Sequence, residues 1–374
     1  MSQPADSELS QEGATQLYIP VTHTDHGPGK IQGRVFYNRQ MTFNRDVSVM
    51  FFSSPQVTAR TAIDAMSATG ARALRIAKEA RPDIHFDICD RDSAAVEFIR
   101  ENINLNGLEN CTAINNDLRC QLAQEYYDYV DLDPFGTPVE FIPAALQALK
   151  RNGILAITAT DTAPLAGAQA KKCVRRYGAV PCRGQFCHEA GLRILIGYVA
   201  KEAAKLDKGT VPMLCFYADH YMRLYLRMPQ SAYHAEAALD QIGYLQYDRS
   251  THERTTSKEA RTPKDCGPMW LGPLADKDFL GSMKMPDTLA EKDRCVKYMD
   301  LWKQELDVPY FFENNELSSV AKLSPPRREV LLDRMKQLGA ASLTHFSPTG
   351  FKSDRSFEEI LAAYREIGIH ETKP

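Results

Sequence analysis

TAIDAMSATGARALRIAKEA, residues 61–80, is a short apolar strand that breaks into small residues and restarts as a helix. In its second half Ala73, Ile76, Ala77 and Ala80 share one helical face, while Arg72, Arg75 and Lys78 lie elsewhere. The same unit recurs downstream. IHFDICD (84–90) is a strand followed by the helix SAAVEFIRENINLNG, which ends at Gly107. CTAINND (111–117) and YYDYVDLD (126–133) are further strands, FIPAALQALKRNG (141–153) is a helix closed by Gly153, and GILAITATD (153–161) is a fifth strand. Strands alternating with helices predict an α/β fold with a parallel sheet covered by helices.

After a long amphipathic helix, CHEAGLRILIGYVAKEAAKL (187–206), the runs VPMLCFYADH and YMRLYLRM add an adjacent strand pair, for about seven strands in all. Residues 247–266 are polar and precede GPMWLGPL with its two Gly-Pro pairs, which reads as a linker. Beyond it, ADKDFLGSM, CVKYMDLWKQEL and SPPRREVLLDRMKQLG are helical and ASLTHFSPTGF is strand-like. The chain therefore divides at 1–275 and 276–374, the second part being a smaller α+β domain.

The 374 residues are 44% hydrophobic and 25% charged, the composition of a globular protein, and no apolar run is long enough to span a bilayer. The N-terminus MSQPADSELSQEG has no basic and apolar leader, so a cytoplasmic protein with no membrane association is expected, its first dozen residues loose. Nine cysteines include no C-x-x-C pair and are odd in number, the pattern of reduced thiols rather than a disulfide framework. Cys182, Cys187 and His188 sit on one segment without a fourth ligand and do not complete a zinc set.

In an open parallel sheet, ligands gather at the carboxyl ends of the strands. The first such end is Asp64, leading into DAMSATGAR. Its single Gly70 departs from the G-x-G-x-x-G fingerprint, so a phosphate-free adenosyl ligand is favoured over a dinucleotide. Asp90, closing the second strand, is placed to accept ribose hydroxyls, and Asp117 to meet an adenine amine or to form an Asx-turn. DLDPFGT (131–137) closes the fourth strand beside the reactive end of such a ligand. If the ligand is S-adenosylmethionine, Asp133 and the Pro134 carbonyl accept the hydrogens of an exocyclic amine, and Phe135 stacks on its ring. Asp131, two residues back, is a supporting carboxylate.

DPFG after the fourth strand matches the D-P-[PF]-[FYG] signature of amino-group methyltransferases. With EGATQLYIP, VFYNRQMTFNRDVSV, DAMSATGAR, ITATDTAPLAGA, RGQFCHEAGLRILIG, GPMWLGPL and THFSPTGFKSD, the chain resembles the tRNA guanine-N2 dimethyltransferase family acting at tRNA position 26. The resemblance covers nearly the whole chain. It implies a seven-stranded, Rossmann-like class I methyltransferase domain, a C-terminal tRNA-contacting domain and S-adenosyl-L-methionine as cofactor, used twice per guanine. It further implies that Arg45, Arg72, Asp90, Asp117 and Leu118 lie at the cofactor, that Asp133 is the catalytic carboxylate, and that Phe36 is a second aromatic wall. Some relatives carry a four-cysteine zinc element before the GP-rich segment. This chain has only Cys266 there, so no metal is expected and compact, archaeal-like members are nearest.

A net charge of −3 argues against polyanion binding over the whole surface, but local patches exist. Lys171, Lys172, Arg175 and Arg176 in KKCVRRYG, Arg327 and Arg328 in PPRRE, and Lys352 in FKSDR form an expected tRNA track. Two other readings compete: a tRNA-binding chaperone without activity, and a nicotinamide-dependent oxidoreductase. The intact Asp133-Pro134-Phe135 set counts against the first, and the single-glycine loop against the second.

Overall fold

The computed structural model describes residues 3–25, 27, 33 and 35–371. The chain opens with a hairpin, β1 (Ser7–Glu12) and β2 (Thr15–Pro20), followed by α1 (Thr42–Phe52). The repeating part comprises β3 (Thr61–Asp64), α2 (Ala71–Glu79), β4 (His85–Asp90), α3 (Ser93–Asn106), β5 (Cys111–Asn115), α4 (Leu118–Gln124), β6 (Tyr127–Leu132), α5 (Ile142–Ala148) and β7 (Leu149–Ala159). Helices α6 (Thr162–Leu165), α7 (Ala170–Tyr177) and α8 (Cys187–Ala204) lead to the strand pair β8 (Val211–Ala218) and β9 (Tyr221–Arg227). Then come α9 (Ala232–Leu239), β10 (Ile242–Tyr247), β11 (Arg254–Ser257), β12 (Cys266–Trp270), α10 (Lys277–Ser282) and α11 (Lys292–Gln304). The chain ends with β13 (Phe312–Glu313), α12 (Asn314–Ala321), α13 (Arg328–Leu338), β14 (Ala341–Leu343), β15 (Gly350–Ser353) and α14 (Phe357–Glu371).

Seven strands form the central sheet in the order β5-β4-β3-β6-β7-β9-β8. The first five of that order are parallel, and β9 and β8 close the edge antiparallel, as the alternating pattern predicts. Side chains alternate across the sheet: Ile63, Val130 and Ile157 face one core with α5 and α8, while Ala62, Tyr129 and Ala156 face another with α1 and α2. The strand order reverses between β3 and β6, so a crevice opens at the carboxyl ends of those two strands.

Three expectations are corrected. The N-terminal residues are not loose: Ser7 to Glu12 pair with Thr15 to Pro20, and Leu17, Ile19 and Glu12 are buried; Met1 and Ser2 lie outside the described residues. Gly153 does not close a helix. α5 stops at Ala148, and β7 begins at Leu149 through a register shift that leaves three extra residues on β7, with Asn152 in that stretch at φ 60°. The polar stretch 247–266 is no linker. It contributes β11 and the start of β12 to a three-stranded sheet, order β11-β10-β12, whose β12 lies against α8. Packing also crosses residue 276, since Phe279, Leu280, Cys295, Met299 and Trp302 of α10 and α11 complete the core shared with α1. A separate core forms from Phe312, Leu317, Leu331, Met335, Phe351, Ile360 and Tyr364.

Candidate active site

The floor of the crevice is a buried set of charges. Asp64 at the end of β3 stands opposite Asp131 on β6. Arg223 reaches from β9 across β7 and grips Asp131 with both ends of its guanidinium, at 2.9 and 2.6 Å, while donating to Thr158 Oγ1 at 3.0 Å. The Tyr129 hydroxyl donates to the same carboxylate at 2.6 Å. Burial alone would raise the Asp131 carboxyl, but Arg223, Arg72 and Tyr129 together hold it below its ordinary value. Asp131 is thus a structural anion, as its position two residues before Asp133 implies.

Asp133 lies one step higher and is partly open, 23% exposed in its side chain. Arg72, in the first turn of α2, donates Nη2 to Asp133 Oδ2 and Nη1 to Asn44 Oδ1 at 2.7 Å and Ser48 Oγ at 2.8 Å. Helix α1 therefore steadies Arg72, and Arg72 steadies Asp133. Oδ1 of Asp133 accepts no hydrogen bond among the described residues. A carboxylate with one oxygen tied to a buried arginine and the other untied is oriented to accept from a ligand amine.

Asp64, Arg72 and Asp133 line a cavity of about 660 Å³ together with Ala68, Asp90, Asp117, Leu118, Pro134 and Phe135. Gly70 turns the chain into α2 at φ 77°, a left-handed conformation that side chains rarely adopt. Asp90 accepts from the Ala68 and Asp92 backbone N–H groups, both at 2.9 Å, which fixes its carboxylate beside the loop. Asp117 caps α4 through Arg119 N at 2.9 Å and is held below its ordinary value by Arg119, so the Asx-turn and the cavity-lining position coincide. Among the described residues, no cation lies within salt-bridge reach of Asp64. Burial first, then Asp131 and Asp133, push its carboxyl up to about 7. A site with such an unneutralised carboxyl favours a ligand that brings a positive charge.

The mouth is aromatic. Phe135 is 57% exposed and meets Phe36 edge to face, ring centres 4.7 Å apart and planes at 85°. Gly136, at φ 85°, sets the turn that presents Phe135. Arg45 also lines the cavity, but its guanidinium is spent on Glu12 at 2.7 and 2.6 Å and lies over the Tyr37 ring at 4.9 Å. It shapes the wall and ties it to the N-terminal hairpin. Sequence reasoning missed Asn44, Ser48, Arg223, Asp219 and His220, the last two of which also line the cavity. Arg223 had a legible signal, because a charge alternating with Tyr221 and Tyr225 inside a central strand requires a buried partner.

The basic groups divide. Lys171 and Arg175 on α7 and Arg327 before α13 are exposed, and Lys172 and Arg328 are half-buried. Arg176 pairs with Asp161 at 2.9 Å. Lys352 is corrected: it is 1% exposed, and its ammonium lies between Glu189 at 3.0 Å and Glu305 at 3.1 Å. A buried ammonium with two carboxylates cannot reach an external phosphate without breaking that triad. Among the described residues, no three His, Cys, Asp or Glu side chains are grouped to hold a metal ion.

The comparisons with known proteins converge. Residues 21–365 match the family model described as N2,N2-dimethylguanosine tRNA methyltransferase. The tRNA (guanine(26)-N(2))-dimethyltransferase of Pyrococcus abyssi is 38% identical over 87% of this chain and 91% of its own length. That of Thermococcus kodakarensis is 36% identical over 96% and 98%. Among solved structures, the complex of Trm1 from Pyrococcus horikoshii with S-adenosyl-L-methionine superposes with a TM-score of 0.87 and 33% identity, covering 95% of this chain and 99% of that one.

Proposed function

The chain belongs to the N2,N2-dimethylguanosine tRNA methyltransferase family, and from that premise we propose how its residues act. The enzyme transfers methyl groups from S-adenosyl-L-methionine to the exocyclic N2 amine of guanine 26 in tRNA, giving N2-methyl- and N2,N2-dimethylguanosine. The cofactor supplies an electrophilic methyl group on a sulfonium. The residues present suit it: small side chains at Ala68 and Thr69, a carboxylate at Asp90 for ribose hydroxyls, apolar Leu118 for a base, and Asp64 for a positive charge.

The observation that carries the reading is the untied Oδ1 of Asp133 in the cavity that the exposed Phe135 also lines. An exocyclic amine is a poor nucleophile because its lone pair is delocalised into the ring. Asp133 Oδ1 and the Pro134 carbonyl accept its two hydrogens, localise the lone pair on nitrogen and stabilise the positive charge that develops there. Phe135 and Phe36 hold the base that leaves its stack. The proton lost from nitrogen passes to Asp133, and Arg72 keeps that carboxylate in place. Mass spectrometry of nucleosides from unmodified tRNA incubated with protein and cofactor tests the reading; bound tRNA without methylguanosine would sink it and leave a catalytically silent member of the family.

Asp64 makes cofactor binding pH-dependent. Its carboxyl, pushed up to about 7, is protonated at lower pH and gives up its proton when a cation settles beside it. Calorimetry in buffers of different ionisation enthalpy should find close to one proton released near pH ~5.5, about half a proton near pH ~7 and almost none near pH ~8.5. Asp64→Asn removes the dependence. A buffer-independent heat at every pH rejects this role.

For the tRNA track the reading keeps Lys171, Lys172, Arg175, Arg327 and Arg328 and drops Lys352. Replacing Lys171 and Arg175 by alanine should weaken tRNA binding and reduce the salt-dependence slope by about one for each phosphate no longer neutralised. Lys352→Met should leave the slope unchanged while lowering thermal stability. An unchanged slope in the α7 variant marks that face as merely solvated. Operation inside the cell without a resident metal belongs to the same reading, and so does a division into two domains. The packing of α10 and α11 on α1 supports placing that division near residue 306 rather than at 275.

A further inference from the structure

The turn that carries Asp133 and Phe135 is bolted to the loop after β7. Gly136 donates to Thr160 Oγ1 at 2.7 Å, and its carbonyl accepts from Thr160 N at 3.0 Å and Asp161 N at 3.2 Å. Asp161 is itself held from the other side by α7. Its carboxylate, 8% exposed, accepts from Arg176 at 2.9 Å and from the Tyr177 hydroxyl at 2.8 Å. The Tyr177 hydroxyl also lies 2.8 Å from Thr137 Oγ1, on the catalytic turn. A phenol has one proton, and here it goes to the carboxylate, so Thr137 is the donor to Tyr177. The result is a directional chain, Thr137 to Tyr177 to Asp161, that closes back through the Asp161 backbone onto Gly136.

The ring of Tyr177 is 1% exposed and packs edge to face on Tyr198, centres 5.8 Å apart. The side chain is therefore locked. Neither Asp161 nor Tyr177 lines the cavity, and the chemistry of methyl transfer uses neither. Among the described residues, the side-chain hydrogen bonds of Asp161 and Tyr177 are those of this network.

We propose that Asp161 and Tyr177 are positioning residues for methyl transfer, acting through Gly136 and Thr137 on the turn that presents Asp133 and Phe135. The proposal rests on the assignment of Asp133 as the amine acceptor. Helix α7 is thus a strap with two faces. Its inner face clamps the turn through Arg176 and Tyr177, and its outer face exposes Lys171 and Arg175. Losing the clamp lets the turn drift without emptying either binding site. A displacement near an ångström at the reacting centre costs up to about a hundredfold in rate.

The test compares Tyr177→Phe, Thr137→Val and Thr137→Ser with the intact protein. Single-turnover methyl transfer, tRNA affinity, S-adenosylhomocysteine affinity and melting temperature are measured for each. Tyr177→Phe and Thr137→Val are expected to slow transfer about tenfold to hundredfold with both affinities within about threefold and the folded fraction unchanged. Thr137→Ser keeps the hydroxyl and should transfer at nearly the wild-type rate, and the double variant should be no slower than either slow single variant, because one chain is being cut. Wild-type rates in Tyr177→Phe overturn the proposal. So does a loss of rate matched by equal losses in affinity and melting temperature, which would make the network merely structural. Asp133→Asn assayed alongside separates the premise: full activity there removes the role of Asp133 itself, whereas a slow Asp133→Asn with a fast Tyr177→Phe defeats only the strap.

Discussion

Asp133→Asn is expected to slow methyl transfer about a thousandfold, equivalent to about 4 kcal/mol of lost transition-state stabilisation. The substitution conserves shape but removes the negative charge that faces the amine, and its own amide hydrogens compete for the position the substrate hydrogens take. Arg72, left without its anionic partner, has only Asn44, Ser48 and the more distant Asp131 at 3.9 Å. Binding of tRNA should stay within a few-fold, because affinity rests on phosphate contacts at the surface and not on this partly buried carboxylate. Single-turnover kinetics with enzyme in excess, paired with a filter-binding titration, reads both quantities. If tRNA affinity falls as far as the rate does, Asp133 is a structural residue and the acceptor must be sought elsewhere.

Arg223→Met produces the largest expected loss of stability, about 3–5 kcal/mol. It leaves Asp131, 1% exposed, without the fork that neutralises it, while Tyr129 and Arg72 only partly compensate. The sign with pH follows from linkage. In the intact protein the Asp131 carboxyl is held low, so its contribution is present above the unfolded carboxylate value and is lost as pH falls through the folded one. In the variant the same carboxyl gains no such benefit, so the deficit is greatest near neutrality and narrows toward pH ~4. Adding Asp131→Asn removes the orphaned charge and should recover part of the loss. Denaturant melts of both single variants and the double variant close the cycle. Additive losses would mean that the two residues do not act as a pair.

These two outcomes separate neighbours that look alike in DLDPFGT. Period-two geometry places Asp131 and Asp133 on one side of β6, and the strand end identifies the outer one as the reactive candidate. The places of Asp64, Asp90 and Asp117 at the cavity were readable for the same reason, since each terminates an apolar run at the edge where a parallel sheet binds ligands. Burial of the N-terminal hairpin was not readable. SELSQE looks solvated until Glu12 meets Arg45 and Arg75, at 2.6 and 2.9 Å. Lys352 misled in the same way, because the two carboxylates that bury it come from α8 and from the segment after α11. Gly153 misled locally: the apolar residues Leu146 and Leu149 continue a helical face, and only pairing with Tyr127 draws Leu149 into a strand.

The residues alone determined the alternation of strands and helices, the loops that bear the chemistry and the reaction those loops serve. The first follows from periodicity over a few residues, and the others from motifs continuous in the chain and the family resemblance those motifs carry. The tertiary structure decided which charges are spent and which remain available. An ion pair is made by proximity in space, and the arginines of α2, β9 and α7 find their carboxylates on distant elements. Arg72 and Arg223 hold Asp133 and Asp131 in place, and Asp161 draws Arg176 inward. One oxygen of Asp133 stays untied among the described residues, in the cavity that Phe135 also lines.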